Sequence, residues 1–90
     1  MALNDYRDNV EQFMANFKDK TFDSTTIITL LEQKLLIVKA NLNNKTIVDH
    51  QLYDLLFLLL ELAVHNQTNL NTKWHQGQER KKKYLKSNQQ

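Results

Sequence analysis

Apolar residues near the start of the chain fall at Tyr6, Val10, Phe13 and Phe17, at spacings of four, three and four, and the same rhythm returns further on. With about 3.6 residues per turn, such spacing gathers side chains on one helix face. It predicts a first helix over about residues 4–19, with Asn4 or Asp5 as N-cap. A second, over about 24–42, opens at Ser24 or Thr25 and carries Ile28, Leu31, Leu35, Val38 and Leu42. Asn43, Asn44 and Lys45 form a short connection, as between antiparallel neighbours, and Thr46 with Asp49 resembles a capping box. The third helix, about 47–65, sets Val48, Leu52, Leu55, Leu59 and Leu62 on one face with Leu56, Leu60 and Ala63 beside it. After a loop-like stretch over 66–69, a fourth helix over about 70–86 aligns Leu70, Trp74, Gly77, Lys81 and Tyr84, leaving 87–90 as a frayed tail.

The run from Asp54 to Val64 is apolar on nearly every side. A helix coated all round needs neighbours all round, and 90 residues supply few of them, since a chain this short removes only about 60–65% of its surface from water. The expectation is one domain, an antiparallel all-α bundle of three to four helices completed by a second copy, as homodimer or homotetramer, with Leu55, Leu56, Leu59, Leu60 and Trp74 at the interface. Asp54 and Glu61 bound six consecutive apolar residues, far short of the roughly 20 that span a bilayer, so no membrane partner is expected.

Composition narrows this picture. There is no proline and one glycine, which suits helices and leaves no phosphate-cradling glycine loop. The absence of cysteine removes disulfides and thiolate chemistry, and the opening residues lack the basic and apolar regions of a secretory signal, so a cytoplasmic location is expected. The net charge of +2 conceals an asymmetry: residues 1–72 carry a net −3, residues 73–90 a net +5.

Two groups of residues are candidates for chemistry. In the third helix His50, Asp54, Glu61 and His65 share a polar stripe, read first as its solvent-facing edge. Glu32, Asp54 and His50 would make a metal site if the second and third helices pair antiparallel; interhelical ion pairs are the other reading. Near the C-terminus Lys73, Arg80, Lys81, Lys82, Lys83 and Lys86 surround a helix end. A solvated helix terminus is the plain reading; Lys73, Arg80 and Lys83 are candidate phosphate or anion ligands, and nucleic-acid contact with Trp74 and Tyr84 as stacking platforms is a third.

Gln51-Leu52-Tyr53-Asp54-Leu55-Leu56, running on through Leu62-Ala63 to Asn69-Leu70 and the lysine-rich stretch ending at Tyr84, resembles the second half of the MazG-like all-α nucleotide pyrophosphohydrolases. That family shows an ExxD motif opening an apolar helix, a short gly-ile-asp-leu type loop, and a helix ending in basic residues and tyrosine. The segment from Leu30 to Leu36 takes the place of its EExxE motif, so the likeness covers roughly residues 24–85. It implies Mg²⁺ held by carboxylates, cleavage of nucleoside triphosphates to monophosphate and pyrophosphate, and dimers or tetramers. Carried over, Glu32 matches the first glutamate and Asp54 the final aspartate, whereas Gln33, Leu36 and Gln51 stand where three carboxylates are expected. With most metal-binding charge missing, the resemblance implies a nucleotide-binding or protein-interaction module with weak or absent catalysis. The alternatives are a Mg²⁺-dependent pyrophosphohydrolase, or a small regulatory nucleic-acid-binding or immunity-type protein.

Overall fold

Three of the four helices of this chain start from an asparagine or aspartate side chain. The computed structural model describes residues 2–18 and 21–88, with four helices: α1 Leu3–Asn16, α2 Ser24–Ala40, α3 Lys45–His65 and α4 Leu70–Asn88. The fold is all-α, with no strand among the described residues, and no helix is long and apolar enough to cross a membrane. Asp23, not Ser24 or Thr25, caps α2, its Oδ1 accepting from the Thr26 N–H at 2.8 Å. Asn44 caps α3 through Ile47 N–H at 3.2 Å, which leaves Asp49 free to pair with Lys45 and replaces the Thr46–Asp49 capping box. In each case the oxygen satisfies a backbone donor that the helix itself leaves open.

Asn4 is not the cap of its own helix, which starts from Ala2. Its Oδ1 instead accepts from Leu70 N–H at 2.8 Å and its Nδ2 donates to Asn69 Oδ1, the oxygen that caps α4 by accepting from Thr72 N–H at 3.1 Å, so α1 braces the start of α4 across 66 residues. Arg7 Nη1 donates to Thr68 O at 2.6 Å and strengthens the same clasp. The expected end of α1 at residue 19 lies outside the described residues; regular helix stops at Asn16. At the other end helix continues past residue 86 to Asn88, and 89–90 lie outside the described residues.

Lys34 and Asp54, and His65 and Phe22, fix α2 and α3 as an antiparallel hairpin. Its core is Ile27, Leu31 and Leu58, with Leu30, Leu55 and Leu62 packed around them. The buried line of α2 thus runs through Ile27 rather than Ile28; Ile28, Leu35 and Leu42 are exposed. α1 lies against α3 on the other side of the hairpin, burying Val10 and bringing Phe13 edge-on to Phe57 at a centroid distance of 5.3 Å. α4 meets mainly α1, and beyond its first turn it is almost wholly exposed.

α3 ends in a Schellman arrangement: Thr68 N–H donates to Ala63 O and Gln67 N–H to Val64 O, with Gln67 at φ 52°. That left-handed conformation favours glycine, because a Cβ crowds the following carbonyl. Gln67→Gly is therefore expected to raise stability by about 0.5 kcal/mol, roughly 2–4 °C in Tm, once glycine's extra unfolded-state entropy is deducted. A lower Tm would mean that the Gln67 side chain contributes more than its backbone conformation costs.

Candidate functional site

Asp54 stands one turn after Gln51 on α3 and faces α2. Its Oδ2 accepts from Lys34 Nζ at 3.0 Å, and His50 Nε2 lies 3.5 Å from the same oxygen. Both the lysine and aspartate side chains are about three-quarters covered. An ammonium therefore occupies one oxygen of the carboxylate, Oδ2. Glu32 is exposed and lies two residues from Lys34, roughly 200° around α2, so it does not share Lys34's flank. His50 and Asp54 are thus brought together, but Glu32 does not join them. Among the described residues no group of three or more histidine, aspartate or glutamate side chains is placed to hold a metal ion.

The polar stripe of α3 is not a uniform solvent edge. His50 and His65 are exposed, and His65 Nε2, 2.9 Å from Phe22 O, donates to it and ties the end of α3 to the chain before α2. Glu61, by contrast, is only 5% exposed, and its Oε2 has no hydrogen-bond partner. Burial pushes its carboxyl above the ordinary range, with the His65 charge acting weakly against this. Gln51 is also buried with an unpartnered Oε1. Spacing alone reads Glu61 as surface because its coverage comes from tertiary packing. Phe13, Phe22, Tyr53 and Phe57 form an open cleft with Glu61 and the Lys34–Asp54 pair in its wall.

On α4, Lys73, Trp74, Arg80, Lys81 and Tyr84 line one shallow groove along a single helix, with Gly77 as its floor. Lys73 and Arg80 are thus brought together, whereas Lys83 points elsewhere. Trp74 and Tyr84 are exposed. Of the residues expected at an interface, Leu60 is buried inside the protomer and Leu55 partly so, while Leu56, Leu59 and Trp74 remain at least half exposed.

Leu52, Leu56 and Leu59 are joined in exposure by Ile28, Leu35 and Leu42 of α2. At one end of the hairpin Ser24 of α2 and Leu59 of α3 line a common groove. This is the flank opposite α1. Comparison with protein-family models, curated proteins and solved structures gives no match for this chain.

Proposed function

We propose that the chain is a MazG-like helical module whose task is binding through protein contacts, with catalysis weak or absent. The observation that carries this is the Lys34 ammonium on Asp54 at 3.0 Å. An enzyme of the resembled kind uses that carboxylate to hold Mg²⁺ and polarise the attacking water, and a fixed positive charge there opposes a second cation. The exposed leucine face of the hairpin supplies the contact surface. The likeness itself gains from the loop after α3: positive φ at Gln67, two residues before Asn69-Leu70, is the conformation that a glycine-led loop of the gly-ile-asp-leu type would need.

A panel of nucleoside triphosphates incubated with the chain and Mg²⁺ tests the reading. Release of pyrophosphate is expected to stay at least about 10³-fold below the roughly 10 s⁻¹ typical of enzymes. Faster release, abolished by Asp54→Ala, overturns it.

The groove along α4 favours a second reading, an anion site for a triphosphate or single-stranded nucleic acid, since basic side chains interleave there with exposed aromatics. Trp74 is the sole tryptophan, so its fluorescence reports on this groove directly. Under this second reading, a response to nucleotide or oligonucleotide at low salt fades as salt is added, because displaced counterions drive such binding.

A further inference from the structure

We propose that a second copy of this chain covers the open face of the α2–α3 hairpin, in an isologous dimer whose two-fold axis passes beside Leu35. The inference rests on the interaction reading and adds to it the occupant, the surface and the symmetry.

Surface area points to a missing cover. The chain exposes 7286 Å². A folded monomer of 10.7 kDa is expected to expose only about 5,500 Å². Its radius of gyration, 15.7 Å, likewise exceeds the roughly 12 Å of a closed domain of this length. The projecting α4 accounts for part of the excess of about 1,800 Å². A standard interface needs roughly 800 Å² from each partner, less than half of that excess.

The arrangement of residues on that face is its own complement. Ile28, Leu35 and Leu42 are seven apart, so they form a nearly straight line on α2. Beside that line Glu32 precedes Leu35 by three residues and Lys39 follows it by four. When α2 meets a second α2 running the opposite way, with Leu35 on Leu35, Ile28 meets Leu42 and Glu32 comes beside Lys39 of the partner subunit. On α3, the Lys34–Asp54 bond puts Asp54 level with Leu35 along the hairpin. Leu52 and Leu56 flank Asp54 by two residues each way, so the same axis brings Leu52 against Leu56 of the partner subunit. A surface that matches itself under a two-fold rotation is the signature of a C2 contact. Opposite charges at its rim favour this register over its alternatives.

The absence of cysteine makes the test clean. Leu35→Cys places a thiol at the axis, and Leu36→Cys places one about 100° around the helix; both positions are exposed, so neither change should unfold the chain. Under mild oxidation the Leu35→Cys variant is expected to form a disulfide-linked dimer at least about tenfold faster than the Leu36→Cys variant, because thiols bridge only when brought close. Glu32→Lys is expected to weaken self-association roughly tenfold, since two symmetric ion pairs become repulsions, and adding Lys39→Glu to restore it. Light scattering on the natural chain should give twice 10.7 kDa. A chain that stays monomeric at roughly 100 µM, where a micromolar affinity would saturate, overturns the second copy as occupant. A dimer in which the Leu36→Cys variant links as fast as the Leu35→Cys variant, or in which the charge swap fails to rescue, overturns the axis. Neither result touches the pyrophosphate assay, which decides the interaction reading separately.

Discussion

Ile27→Ala is expected to lower the unfolding free energy by about 2–5 kcal/mol, the usual loss when a fully buried branched side chain leaves a cavity. Ile27 has no exposed surface and sits between Leu31 and Leu58, which share its buried cluster. A chain of 90 residues has in all only about 5–13 kcal/mol of stability, so the change removes a large share of it. Thermal unfolding should shift down by roughly 10 °C or more. Leu36→Ala, on an exposed side of the same helix, is the control and should stay within about 0.5 kcal/mol. Equal losses for the two variants would place the core elsewhere.

Glu61→Leu is expected to stabilise the protein at neutral pH, by about 1–3 kcal/mol, because it removes a buried oxygen that has no partner. Ordinary core substitutions act in the opposite sense, so the sign is diagnostic. The pH dependence follows from the raised pKa of Glu61. The folded carboxyl holds its proton at a pH where the unfolded one, with its ordinary value of 4.5, has lost it. Stability therefore rises as pH falls through the folded pKa, and the penalty is gone below 4.5, where both states are protonated. Asp23 works the other way at lower pH. Hydrogen bonds from the backbone and side chain of Thr26 depress its pKa below 3.8, so the stability it adds is lost as pH falls through that depressed value. Melting temperatures measured from about pH 7.5 to about pH 3 should pass through a mildly acidic maximum, and Glu61→Gln should flatten the neutral limb only. A neutral limb unchanged in that variant would show that Glu61 is not the group responsible.

The four helices are legible in the sequence because apolar residues recur at three and four, and because prolines and all but one glycine are absent. Which stripe of α2 is buried is not. Ile27 and Leu31 lie on one helical line, Ile28, Leu35 and Leu42 on another, and periodicity alone does not say which of them α3 covers. The caps fail for a similar reason. Asn4 is a good cap by type, but the helix it serves begins at Leu70, and no local spacing carries that relation. At the candidate site, the bond of Asp54 to Lys34 matches the remaining alternative, interhelical ion pairs, and not the solvent-facing edge read first. The burial of Glu61 escaped because the spacing of His50, Asp54, Glu61 and His65 looks the same whether or not a neighbour lies on top.

α4 is clasped only at its root, by Asn4 and Arg7, while about 17 residues of helix extend beyond, some 26 Å of rod. Geometry turns such a rod into a lever: each degree of tilt at the clasp carries the far end through about 0.45 Å. A tilt there would carry the cationic stretch from Arg80 to Lys86 through an arc relative to the hairpin, with Asn4 and Arg7 together as its fulcrum.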